Sequence, residues 1–170
     1  MLLRGVMPTG RNRVPMADLR AALAEAGLAD VRTYIQSGNV IARSGLDAAG
    51  VGGLVHEVIA DRMGADIAVI TRTPGQLVQV LERNPFQAAD TARLYFSLLA
   101  GPADPGRLQG LAEADFAPDA VRVEADTIYT LYATKLSDSR FNNNYFERRH
   151  GVAATTRNFN TLTRLVEMTA

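Results

Sequence analysis

Seventeen of the eighteen basic side chains in this 170-residue chain are arginines, and the one lysine is Lys135. Arginine is a planar fork of donors with a permanent charge, whereas lysine is a compact ammonium whose pKa burial can move. One lysine in so arginine-biased a chain therefore marks a place where a compact cation could be required, although chance survival accounts for it equally well. Other residues suited to holding anions lie at the punctuation points of the sequence. Arg4 closes a short apolar run, Arg11 and Arg13 follow it, Gln36, Ser37 and Asn39 surround a glycine, and Lys135 and Arg140 come after a late alternating run. Thr155-Thr156 precede Arg157 and Asn158 at the expected start of the last helix. There the free backbone N–H groups and a fixed charge would suit phosphate or carboxylate. Plain capping by Thr156 is the stronger reading of that segment taken alone, because every helix must satisfy its end donors.

The familiar catalytic signatures fail in turn. Zero cysteine removes thiol chemistry, disulfides and sulfur-ligated zinc, and His56 and His150 each lack a second ligand at helical spacing, so no metal and no cofactor are expected. Gly50-Val51-Gly52-Gly53 lacks the strand before it and the third glycine of a dinucleotide fingerprint, and reads as a flexible loop. There is no phosphate loop and no nucleophile elbow. Glu57 and Asp61 could share a helical face, as solvated surface pairs commonly do. Tyr95 and Tyr129 fall on the strands that carry stacking aromatics in RNA-recognition modules, but the basic-glycine-aromatic signature is missing, and packing explains them better. Eighteen acidic residues balance the eighteen basic ones, which argues against binding driven by a broad positive field and leaves local basic pockets open. The opening residues are too short an apolar run for a signal peptide and no run could span a bilayer, so the expected location is cytoplasmic, with no membrane partner.

The elements that would position these residues follow from periodicity. Leu2-Leu3 begins a short strand. Pro15 opens a helix with Leu19, Ala22, Leu23 and Ala26 on one face and Gly27 as its stop. Val31, Thr33 and Ile35 alternate with polar neighbours, and Ser37-Gly38-Asn39 turns into Val40-Ile41-Ala42 as a hairpin. A helix through Leu54, Val55, Val58 and Ile59 and a strand near Ile67 to Ile70 complete the order strand, helix, strand, strand, helix, strand. Thr73-Pro74-Gly75-Gln76 starts a helix that Asn84-Pro85 ends. The pattern then recurs: a strand from Arg93 to Leu99, a helix from Asp104-Pro105 through Leu108, Leu111 and Ala112, strands at Ala120 to Val123 and Ile128 to Tyr132, and a helix from Asn144 to Gly151. A last helix after Thr155-Thr156 carries Phe159, Leu162, Leu165 and Val166. On this reading the second half repeats the first without its fourth strand.

The fold class expected is α+β, built of two ferredoxin-like halves with split βαβ order and antiparallel sheets. The boundaries are residues 1–72, a connecting helix and turn at 73–90, and 91–170 with an extra C-terminal helix. No fixed-period similarity links the halves, so duplication rests on element order alone.

Three stretches, Leu2-Leu3-Arg4-Gly5 through Arg11 to Arg20, Val31 to Val40, and Ala154-Thr155-Thr156-Arg157-Asn158-Phe159-Asn160-Thr161, resemble the bacterial family known as domain of unknown function 1697. Where that family usually reads Ile-Asn-Val-Gly-Gly, this chain has Val6-Met7-Pro8-Thr9-Gly10. The resemblance implies an α+β fold with duplicated halves and brings no established activity.

Three classes of function stay open. The first is a binding module for an anionic ligand, either a phosphorylated small molecule or a nucleic-acid backbone, using Arg4, Arg11, Gln36, Asn39, Lys135, Arg157 and Asn158. The second is an enzyme on an anionic substrate, with Lys135 or Tyr34 moving a proton while Arg4 and Arg157 hold the charge. The third is an interaction protein without a polar site. The first is favoured, and it expects Arg4, the hairpin, Lys135 and Arg157 to meet on one face.

Overall fold

Hydrophobic periodicity and turn chemistry produce two antiparallel four-stranded sheets in the computed structural model, which describes residues 1–87, 89–102, 104–112 and 114–169. The side chain of Ala112, expected on a helical face, lies outside what is described. The chain divides into two units, Met1–Thr73 and Pro74–Met168. No helix among the described residues is long and apolar enough to cross a membrane.

In the first unit β1 (Leu2–Leu3), α1 (Met16–Glu25), β2 (Ala29–Tyr34), β3 (Asn39–Arg43), α2 (Ala48–Met63) and β4 (Val69–Ile70) follow the expected order. The sheet runs β2-β3-β1-β4 with every pair antiparallel. Leu19 and Leu23 of α1, Val55 and Ile59 of α2, and Leu3 and Val40 of the sheet form its core. Asp47 caps α2 by accepting from the Gly50 backbone at 2.7 Å, and Gly64 ends it in the left-handed region. Gly50 to Gly53 thus lie inside the first turns of α2, where the sequence suggested a loop. The aspartate cap and the apolar stripe behind it outweigh the low helix propensity of glycine.

The second unit contains α3 (Pro74–Glu82), β5 (Leu94–Leu99), α4 (Pro105–Ala112), β6 (Ala120–Glu124), β7 (Thr127–Leu131), α5 (Asn143–His150), β8 (Ala154–Asn158) and α6 (Phe159–Glu167). Its sheet runs β6-β7-β5-β8, again fully antiparallel. The fourth strand expected to be missing is β8, paired with β5 from Leu99↔Ala154 to Tyr95↔Asn158. The segment read as the start of the last helix is therefore a strand. Alternation places Ala154 and Thr156 on one face and Thr155 and Arg157 on the other, and β-branched threonines suit a pleated surface. The helix begins only after Asn158, whose side chain accepts from the Thr161 backbone at 2.8 Å.

Both faces of this second sheet are covered. Leu99, Ile128 and Ala154 pack with Leu111, Phe116, Phe141 and Phe146 of the α4 and α5 side. On the other face Phe96 lies edge-on to Tyr129 at 5.4 Å and against Phe159 of α6 at 6.2 Å, and the Tyr129 hydroxyl donates to the Val80 carbonyl of α3 at 3.1 Å. Helix α3, read from sequence as a connector, is thus part of this unit's packing. Tyr95 pairs with Thr130 and so faces away from Tyr129. The two tyrosines therefore make no common stacking surface.

Candidate functional site

The hairpin joining β2 to β3 lies at the same end of the first sheet as Arg4. The Leu3 backbone donates to Gly38 at 2.8 Å, and the Arg4 backbone donates to Ala68 at 2.9 Å. The segment from Gly5 to Val14 covers this end and is tied down on itself. Asn12 donates from its side chain to the Gly5 carbonyl at 3.2 Å, the Met7 backbone donates to Asn12 at 2.9 Å, and Arg13 donates to Gly10 at 3.2 Å. Gln36 then joins hairpin to loop by donating to the Val14 carbonyl at 2.8 Å. Asn39 is fully buried and donates to the Tyr34 carbonyl at 3.0 Å and the Ser37 hydroxyl at 3.1 Å. These bonds make Gln36 and Asn39 positioning groups that hold the hairpin shape. From sequence, Asn12 reads with Pro8 and Gly10 only as a loop residue, and its bond to Gly5 shows what it holds.

Helix α1 starts at this end with Pro15 as N-cap, and no side chain caps it. Arg11 and Arg13 are exposed beside it, and neither makes an ion pair among the described residues. Tyr34 closes β2 here, half-buried. Arg11 and Arg13 bring two positive charges to a helix start whose first turn also carries the exposed Asp18.

In the second unit the end of β7, the start of β5 and the end of β8 coincide, since Leu131 pairs with Leu94 and Tyr95 with Asn158. Lys135, in the loop after β7, and Asn158, at the close of β8, thus belong to one end of that sheet. Lys135 is exposed. Arg157 is 7% exposed and projects to the α3 and α6 face, where its guanidinium donates to the Thr155 hydroxyl at 2.8 Å and the Thr156 carbonyl at 2.9 Å. Burial lowers its pKa to about 10. Asn158 spends its carbonyl oxygen on the α6 cap, which makes it scaffold. On the α5 face Ser97 donates to the Thr156 hydroxyl at 2.6 Å, and Thr156 donates to Asn143 at 2.5 Å. This half-buried hydroxyl chain, not helix capping, is the role of Thr156.

Two antiparallel sheets of one strand order, each with a polar end, define an α+β protein of paired sheet units. The chain belongs to the family described as Protein of unknown function (DUF1697), whose profile matches residues 1–129. The motif from Ala154 to Thr161 lies beyond the matched residues. Among solved structures, the conserved bacterial protein SP0830 from Streptococcus pneumoniae is similar, with TM-score 0.76 and 21% identity over 99% of this chain and 95% of that one. That likeness concerns the fold. No curated protein matches the chain.

Proposed function

We propose that this protein is a binding module for an anionic ligand, a phosphorylated small molecule, held at the end of the first sheet. The observation that supports it most directly is the exposed pair Arg11 and Arg13 just before an α1 start that no side chain caps, on a loop whose shape internal hydrogen bonds maintain. Preorganised N–H groups and guanidinium forks suit phosphate oxygens, and a rigid loop loses little entropy on binding. Gln36 and Asn39 serve as positioning groups; in the second unit Arg157 and Asn158 are scaffold, and Lys135 is an exposed cation at the sheet end where β7 closes. The shared strand order further supports a reading of both units as ferredoxin-like halves of one duplication. An enzymatic reading through Tyr34 or Lys135 has no comparable support, because Tyr34 closes β2 in the first unit and Lys135 is an exposed loop residue of the second.

A thermal-shift screen of inorganic phosphate, nucleoside monophosphates and sugar phosphates tests this reading. A ligand at 100 times its Kd adds about 2.7 kcal/mol to stability. The Arg11→Ala, Arg13→Ala double variant should lose that shift while its own unliganded Tm stays near that of the parent. A shift that survives in the double variant would place the anion elsewhere.

A further inference from the structure

Helix α5 and its surroundings carry a group of arginines apart from those at the first-unit end. Arg107 on α4, Arg140 before α5, and Arg148 and Arg149 in its last turn are all exposed. Among the described residues none of the four makes an ion pair, whereas Arg43, Arg62, Arg93 and Arg164 each do. Among the described residues, Glu147 accepts from the Ala154 backbone at 2.9 Å and Asp115 from the Ala117 backbone at 2.9 Å.

Two of the arginines lie against aromatic rings. The Arg140 guanidinium lies 4.8 Å from the Phe141 centroid and that of Arg149 lies 5.3 Å from the Tyr145 centroid, while Phe141 and Tyr145 contact each other edge-on at 5.1 Å. Arg140, Phe141, Tyr145 and Arg149 therefore form one ladder along α5. Arg107 reaches the C-terminal end of the same helix, where its Nη1 stands 2.6 Å from the place a Cβ on Gly151 would occupy. Complementing the helix dipole accounts for Arg148 and Arg149. It does not account for Arg140, which precedes the helix, or for Arg107, which lies on another.

We propose that this α5 surface binds the phosphodiester backbone of single-stranded nucleic acid. Unpaired guanidiniums stacked on rings keep their outward N–H forks ordered for phosphate oxygens, and they offer flat faces to unpaired bases. A lipid surface fits less well, since the exposed large apolar residues, Met7, Ile35 and Leu46, all lie in the other unit and α5 has no apolar anchor to insert.

Fluorescence anisotropy of the full chain with a short labelled oligo(U) strand provides the test, with acidic phospholipid vesicles as the competing polyanion. Binding should weaken with salt at a log–log slope of roughly −3 if four phosphates are neutralised, at about −0.7 each. Reversing Arg148→Glu and Arg149→Glu together should weaken binding at least tenfold with little change in Tm. Should that variant lose its fold, Arg140→Ala with Arg149→Ala gives the same reading with no charge reversal. The Arg11→Ala, Arg13→Ala variant should keep full oligonucleotide affinity. No binding at low salt, undiminished binding in the α5 variants, or vesicle binding as tight as oligo(U) binding would each overturn the proposal. Loss confined to the Arg11, Arg13 variant would also overturn it, and would move the strand to the first-unit end.

Discussion

Gly38 shows at single-residue scale how closely the hairpin is seated on β1. Its φ is +83°, and a Cβ there would stand 2.7 Å from the Leu3 Cβ and 2.8 Å from the Val6 Cγ2. Gly38→Ala therefore combines left-handed strain with a clash against buried atoms, and should cost about 2–4 kcal/mol in urea unfolding. A cost below about 0.5 kcal/mol would mean that the turn relaxes freely. Next to it, Asn39 explains why the candidate site was only partly legible. Residue types at turns reveal that polar groups belong there, but burial decides what they do. Asn39 at 0% exposure is consumed by the hairpin's own carbonyls, and Arg157 at 7% by Thr155 and Thr156. The Arg4 backbone and the hairpin share one end of the first sheet, because β1 ends where the hairpin turns. Nothing in a linear reading could have determined that end before the β1–β3 register was known.

At the scale of elements, periodic segments and capped ends were readable and short mixed segments were not. Asn142 and Gly151 bound α5 as cap and left-handed stop, close to the expected limits. Ala154 to Asn158 misled because its polar, threonine-rich sequence resembles a helix approach, and only the long-range pairing with β5 makes it a strand. The cap identity is open to a direct check: Asn158→Ala should destabilise by about 1 kcal/mol, and Thr156→Val should act separately through the Ser97 and Asn143 chain. Helix α5 also ends in an unusual histidine. His150 is 2% exposed and neither ring nitrogen has a hydrogen-bond partner among the described residues. Burial, with a smaller contribution from the Arg107 charge, lowers its pKa below the ordinary 6.5. The unfolded chain then binds the proton more readily than the folded one. The stabilising contribution of neutral His150 is complete above about 6.5 and is lost as the pH falls through the lowered folded pKa. Urea midpoints measured from neutral to mildly acidic pH should fall for the parent and fall less for His150→Leu. Parallel curves for the two proteins would show that His150 titrates without strain.

For the whole molecule, two halves of similar element order were legible because each repeats the same alternation of periods, but the shared four-strand order was not, since β8 reads as a helix approach. The place of α3 was not, since an amphipathic helix between two halves carries no mark of which one it serves. The structure gives it to the second unit, where it lies with α6 on the sheet face opposite α4 and α5. This arrangement leads to a prediction about autonomy. A sheet with one bare face must find cover elsewhere, whereas the sheet of β5 to β8 has helices on both faces and a buried aromatic core of Phe96, Tyr129, Tyr132, Phe141 and Phe146. Those rings supply large apolar area, and the Tyr132 hydroxyl is satisfied inside by donating to the Phe141 carbonyl at 2.6 Å. Residues 74–170 expressed alone should therefore fold, with a cooperative urea transition and dispersed amide resonances, while residues 91–170, which lack α3, should lose several kcal/mol and expose the Leu77 and Val80 contact face. Equal stability of the two fragments would show that α3 is an ornament of the second sheet, and collapse of both would show that the sheet depends on residues before Pro74.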